Sequence, residues 1–233
     1  LASPADDDDL DALVRRVDPE RWLASRFIAD RVKRADVMAL YAYDHELSRA
    51  PRVASTTLIA EIRLTWWREV LDEIYADRPV SAHPTARSLS EAVRRRGLPR
   101  EPLEAMLDAR IEALDRTVIS LDQAEVWAGE VGGSATFLAS LVLDPRVTPT
   151  ATRNAGVAWG LSTLRGSGCV FDGLDARLSV ILGAAKVESR KLTAATFPAV
   201  AAVTLVRDEL AGRRPMAFEV RLCLLAAVLR GSI

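Results

Sequence analysis

Three carboxylates, Asp108, Glu112 and Asp115, recur at i, i+4 and i+7. On a helix that spacing sets them within about 60° of one another. The stripe reads first as a solvated face, with Glu112 paired to Arg116 one turn on. It reads alternatively as a Mg²⁺ site, because that ion takes one or two carboxylates with water and phosphate oxygens. A second candidate lies in Glu61-Ile62-Arg63-Leu64-Thr65-Trp66-Trp67-Arg68. At about 100° per residue, Glu61, Thr65, Arg68, Glu69 and Asp72 share a polar arc. Ile59, Trp66, Trp67, Val70, Leu71 and Ile74 share the opposite one, and Arg63 falls in its middle. A guanidinium there must be paired with a neighbouring carboxylate or face a cavity as an anion-binding cation. Tyr41, Asp44 and Ser48 line up at i, i+3 and i+7, whereas Asp44, His45 and Glu46 point three different ways and cannot chelate together. That segment reads as a polar helix end stopped by Pro51.

Other templates fail. Gly132-Gly133-Ser134 is no nucleophile elbow, since no strand-like alternation precedes it. Gly166-Ser167-Gly168 lacks the lysine and spacing of a phosphate loop. Asp6 to Asp9 are adjacent like charges with nothing to fix their geometry, so residues 1–17 are expected to form an acidic, flexible tail.

The elements that must position these residues are helical almost throughout. Apolar spacing predicts helices over about 19–30, 34–49, 56–76, 84–96, 101–117, 121–143, 150–165, 174–187, 194–211 and 216–230. Asp18-Pro19-Glu20 is a helix start with a capping carboxylate and a first-turn proline. Pro- and Gly-containing breaks such as Asp77-Arg78-Pro79, Gly97-Leu98-Pro99 and Asp144-Pro145 separate the segments. The fold class is all-α, with 18–233 expected as a single helical bundle domain. The last two helices, 194–211 and 216–230, are candidates for a docking surface as well as for core packing.

Composition narrows the function. Lys and Arg number 31 against 32 Asp and Glu, a net charge of −1, so bulk electrostatics give no attraction to nucleic acid. Two cysteines and two histidines exclude a disulfide framework and a Cys- or His-rich metal site. The longest uncharged run, residues 192–206, is shorter than the ~20 apolar residues of a membrane span.

Several segments carry a resemblance. Trp22-Leu23-Ala24-Ser25-Arg26-Phe27, Leu40-Tyr41-Ala42-Tyr43 and Glu61 to Glu69 come first. His83-Pro84 comes next, before a helix that ends at Gly97-Leu98-Pro99, then Asp108, then Val131-Gly132-Gly133-Ser134-Ala135. In this order, over about residues 18–165, the chain resembles the squalene/phytoene synthase family. The resemblance implies an all-α isoprenoid synthase fold. Its enzymes join two prenyl diphosphates, with Mg²⁺ held between two aspartate-rich helix segments, where it neutralises the leaving diphosphate beside a carbocation in a dry pocket.

This chain departs from the pattern at those segments. Where the resemblance places the first acidic motif stand Ser48, Arg49 and Arg52, with Pro51 inside it. Before the second, Ser162 stands for the Asn of the family's Asn-x-x-Arg segment, and within it Gly166 takes the place of the first acid, with Cys169 and Val170 at the later acid positions. Arginines repel the cation that the family's carboxylates hold. The chain therefore resembles a non-catalytic branch of the family that includes a mitochondrial respiratory complex I assembly factor. That resemblance implies a protein without catalytic residues, cofactor or metal, acting through other protein subunits, with a possible peripheral contact to a membrane and none with nucleic acid. Its expected place is the mitochondrial matrix, at the matrix face of the inner membrane, or the bacterial cytoplasm. Under this reading Tyr41, Arg49, Arg63, Trp66, Arg68 and Arg165 are the candidates for lining a cavity or binding an anion. Two alternatives stand beside it. One is a Mg²⁺-dependent prenyltransferase using Asp44, Glu46, Asp108 and Glu112 as substitute ligands, and the other is an isoprenoid or lipid carrier with an open apolar cavity.

Overall fold

The structure, a computed structural model, describes residues 4–114, 120–213 and 216–233. Every regular element among them is helical: α1 (Pro4–Val17), α2 (Pro19–Ser25), α3 (Arg31–Arg52), α4 (Thr57–Tyr75), α5 (Pro84–Arg96), α6 (Arg100–Ala113), α7 (Leu121–Ala128), α8 (Ser134–Leu143), α9 (Pro149–Gly166), α10 (Leu174–Ser189), α11 (Val206–Leu210) and α12 (Ala217–Arg230). Side chains cap the starts of α2, α3, α4 and α7. Asp18 accepts from the Arg21 amide, Asp30 from Val32 and Lys33, and Thr56 from Ile59, while Ser120 and Gln123 form a reciprocal capping box. Gly97, in the left-handed region at φ 60°, ends α5.

α3 is the central post. From Asp36 to Asp44 every one of its residues is buried, so it is enclosed on all sides, and it packs against α1, α4, α5, α6 and α8. These elements share one apolar cluster that includes Leu40, Tyr43, Leu64, Trp67, Leu89, Met106 and Leu138. A second cluster, with Leu161, Leu178, Phe197, Val200 and Leu224, joins α9 and α10 to the C-terminal segment. The seam between the two clusters is where polar groups gather.

Several expectations are corrected. The flexible tail gives way to α1, because Leu10, Leu13 and Val14 fall at helical spacing; Leu10 and Val14 are buried, and α1 packs on α3 and α5. The side chains of Asp6 to Asp9, with Asp115 and Arg116 of the acidic stripe, lie outside the described residues. Pro51 does not stop α3, which runs one residue further to Arg52. The helix over 194–211 breaks into two short 3₁₀ turns, Phe197–Ala199 and Ala201–Leu205, followed by α11. Pro198 removes a donor from this stretch, and its residues 197–203 are all buried. α12 buries Leu224 and Ala227 and leaves Phe218, Leu222, Leu225 and Leu229 outward.

The predicted helix 121–143 is continuous but not uniform. α7 passes into α8 through a π-helical turn, Gly129–Gly133. By length and composition residues 121–143 suffice to cross a membrane, yet 61% of their most apolar window is buried inside this fold. The π turn meets α9 backbone to backbone: a Cβ on Gly132 would sit 2.2 Å from the Gly156 carbonyl oxygen, and one on Gly156 2.5 Å from that of Gly132. This contact lets α9 bring Trp159 and Thr163 to the seam. Gly156→Ala is therefore expected to destabilise the fold by about 1–3 kcal/mol through overpacking. Gly183→Ala, mid-helix in α10 with nothing within 4 Å, is expected to stabilise it by about 0.5–1 kcal/mol. Urea unfolding of the two variants measures both signs.

Candidate functional site

The seam encloses a cavity of 230 Å³ between α2, α3, α6, the π turn and α9. A buried ion chain fills its wall. Arg21 donates through Nε to Asp18 and through Nη2 to Asp44 Oδ2 at 2.7 Å. Arg110 donates through Nη2 to Asp44 Oδ1 and through Nη1 to the Met106 carbonyl at 2.8 Å. Asp18, Arg21, Asp44 and Arg110 thus alternate in sign and balance, which a buried charge requires. Tyr41 and Trp159 complete the wall: the Arg21 guanidinium carbon lies 4.4 Å from the first ring centroid and 5.4 Å from the second. Arg21 Nη1 is buried without a hydrogen-bond partner.

The electrostatics follow from this geometry. Burial pushes the Asp44 carboxyl up, but the Arg110 and Arg21 guanidinia outweigh it and hold the group below 3.8, its ordinary value. Burial pushes the Tyr41 hydroxyl up and the His45 imidazole down. Both carboxylate oxygens of Asp44 are occupied by guanidinium donors, so it is a fixed anion that holds two cations in place.

The sequence-derived candidates divide among four places. Tyr41 lines this cavity, with Ser48 and Arg52 of the first motif position. Arg49, Arg63 and Trp66 come together outside it, on a groove of 370 Å³ between α3 and α4. Arg63 is exposed rather than buried, contrary to the buried ion-pair reading of the sequence, and it lines this outer groove. The buried face of α4 is Ala60, Leu64, Trp67, Val70, Leu71 and Ile74, and its centre is turned away from Arg63. Arg68 pairs with Asp108 across α4 and α6. Arg165 sits at the end of α9, donating to the Glu209 carbonyl at 3.1 Å and pairing with Asp175 at 3.2 Å.

The four substitute ligands are likewise dispersed. Asp44 is in the seam cavity, and Glu46 lies on the α3–α4 groove, 3.6 Å from Arg49. Asp108 and Glu112 line a third, acidic groove between α6 and α7. The donor set does not fit Mg²⁺. At the first motif position Arg52 donates to the Ser48 hydroxyl at 2.8 Å, and just before the second Ser162 donates to Glu209. α9 stops at Gly166 before that motif could continue, and Gly168 turns the chain at φ 90°. Among the described residues no three His, Cys, Asp or Glu side chains are grouped to hold a metal. The cavity also falls below the ~300 Å³ at which ligand pockets for drug-sized molecules begin.

Arg21 and Arg110, the centre of the site, escape the sequence reading. Arg110 did carry a signal: it continues the α6 stripe of Leu103, Met106 and Leu107 at i+7, i+4 and i+3. Arg21 shares the buried face of α2 with Ala24 and Ser25. Asp44→Asn, which leaves two buried guanidinia short of a countercharge, is expected to cost about 3–5 kcal/mol near neutral pH. Since the folded carboxyl is held low, that stabilisation is present in full above the unfolded value of about 3.9 and is lost as pH falls through the folded one. Urea unfolding is expected to show a constant gap between wild type and variant at pH 7 and 5, and a shrinking gap below about pH 4.

Comparison with solved structures finds a dehydrosqualene synthase in complex with ligand, at a TM-score of 0.81 and 14% identity, covering 97% of this chain and 96% of that one. A squalene synthase from Alicyclobacillus acidocaldarius superposes at 0.67 with 13% identity, over 97% and 94%. At such identities the likeness shows the fold, the all-α isoprenoid synthase type. Among curated proteins, "NADH dehydrogenase (ubiquinone) complex I, assembly factor 6" of Bos taurus is 30% identical over 132 residues, which is 56% of this chain and 39% of the relative. The Rattus norvegicus protein of the same name is 28% identical over 154 residues, 65% of this chain and 46% of its own. The matched region thus spans less than half the length of these relatives. The sequence profile described as squalene/phytoene synthase matches residues 14–164, and the chain belongs to that family.

Proposed function

We propose that this chain is a non-catalytic squalene/phytoene synthase-like protein that serves the assembly of a respiratory membrane complex through contacts with other protein subunits. Its place is the mitochondrial matrix, at the inner-membrane face, or in a bacterium the cytoplasm. The observation that carries the reading is the fate of the acids. The first motif position holds Ser48, Arg49 and Arg52 and the second Gly166, Cys169 and Val170, and Asp44, the nearest buried carboxylate, has both oxygens bound by arginines. The names of the curated relatives agree with it. The small, polar cavity supports assembly over an isoprenoid carrier, which needs open apolar volume.

The test is rescue. In cells that lack the endogenous relative and accumulate too little NADH-oxidising complex I, expression of this chain is expected to restore the assembled complex on native gels. A purified chain incubated with prenyl diphosphates and Mg²⁺ is expected to release no diphosphate. Failure to rescue, or turnover that Asp108→Ala abolishes, overturns the reading.

A further inference from the structure

The groove between the end of α3 and the first half of α4 is set apart from the seam cavity and has no role in the ion chain. It is lined by the apolar Val53 and Ile62, the aromatic Trp66, Trp67 and His83, and the charged Arg49, Arg63 and Glu46, the carboxylate being already engaged with Arg49. The apolar part is open to solvent: Val53 is 45% and Ile62 60% exposed, and the neighbouring Leu58 is 64% exposed. Val53, Leu58, Ile59 and Ile62 gather exposed large apolar side chains into ten consecutive positions, a concentration that marks an interaction surface rather than scattered residues. The aromatic lining is preformed. The Trp66 and Trp67 rings are 4.9 Å apart, and each lies 5.5 Å from the His83 ring. His83 Nδ1 is buried there with no hydrogen-bond partner.

The charge along the groove states what would sit in it. Arg63 makes no ion pair among the described residues. Arg49 is half exposed and held to Glu46 only at 3.6 Å, longer than a charge-assisted hydrogen bond. Two available guanidinia beside an apolar trough complement a segment with carboxylates next to large apolar residues. The trough is concave and narrow. A membrane surface would instead select a flatter face with about four to eight clustered Lys and Arg, and the exposed Glu61 and Glu69 on α4 oppose that.

We propose that this groove docks an acidic amphipathic helix of a partner protein, with its apolar side chains on Val53, Ile62 and Trp66 and its carboxylates on Arg49 and Arg63. The mode is a helix laid in an apolar groove and read through i, i+3, i+4 and i+7 anchors. The inference rests on the assembly reading for the existence of a partner; the groove's preference for an acidic helix rests on its own residues.

The probe is a fluorescein-labelled synthetic helix of about five turns, with Leu and Phe at i, i+3, i+4 and i+7 and Glu on the flanks, titrated with the full chain and followed by anisotropy. Saturable binding is expected in the micromolar range, weakened at least about tenfold by Arg63→Glu and by Ile62→Glu. Both positions are exposed, so thermal midpoints are expected to stay at the wild-type value. The same peptide with Lys for Glu is expected not to bind. Absent saturation, equal binding of the Lys peptide, or an affinity that neither variant moves overturns the proposal. So does sedimentation with phosphatidylglycerol–phosphatidylcholine vesicles that Arg63→Glu abolishes while the peptide fails to bind, or a concentration-dependent dimer that Ile62→Glu dissolves. Rescue of the complex without peptide binding removes the groove and keeps the assembly role. Peptide binding without rescue does the reverse.

Discussion

One buried carboxylate constrains the centre of this molecule. Asp44 lies on the helix that every element of the first apolar cluster surrounds, and it faces the second cluster across the seam. A charge in that position is tolerated only with its countercharges in place. Arg21 from α2 and Arg110 from α6 supply them, and Asp18 balances the chain of charges. The network thus ties three helices together at the point where apolar packing is interrupted, and it occupies the wall of the cavity that the fold leaves there.

The rest of the framework is that of the family, and on the proposed reading it carries no catalysis. α9 approaches the π turn through Gly132, Gly156 and Gly160, which keeps two helical layers at backbone distance and sets Trp159 over the Arg21 guanidinium. On this frame Ser48, Arg49 and Arg52 stand at the first acidic position, where Arg52 donates to Ser48, and Gly166, Cys169 and Val170 at the second, just beyond Ser162, which donates to Glu209. Exposed apolar residues, Arg63, unpaired among the described residues, and the loosely paired Arg49 lie on the outside, at the α3–α4 groove.

Much of the fold was legible because amphipathic periodicity is a local property. The helix over 84–96 has the predicted bounds, and several others agree to within a few residues. The segment 197–205 was not, because it is buried on nearly all sides and shows no polar phase from which a helical period can be distinguished from 3₁₀ turns. α1 was hidden behind its run of aspartates, although Leu10, Leu13 and Val14 carried the spacing. The family's missing acids were readable from Ser48, Arg49, Arg52 and Gly166 alone. The ion chain was less so: the test for a cation on an apolar arc was sound, yet it singled out Arg63, which is exposed, where Arg110 is the one buried. The phase of α4 is set by which neighbours cover it, and a helix's own sequence does not contain that.

On the proposed reading the seam cavity is closed by its own ion chain and offers no site for a metal-bridged diphosphate. Calorimetric titration of inorganic diphosphate into the protein, with and without Mg²⁺, tests it most directly. A cavity so closed gives the same weak heats under both conditions in the wild-type protein. Saturable binding that requires Mg²⁺ and disappears in Asp44→Asn would contradict it.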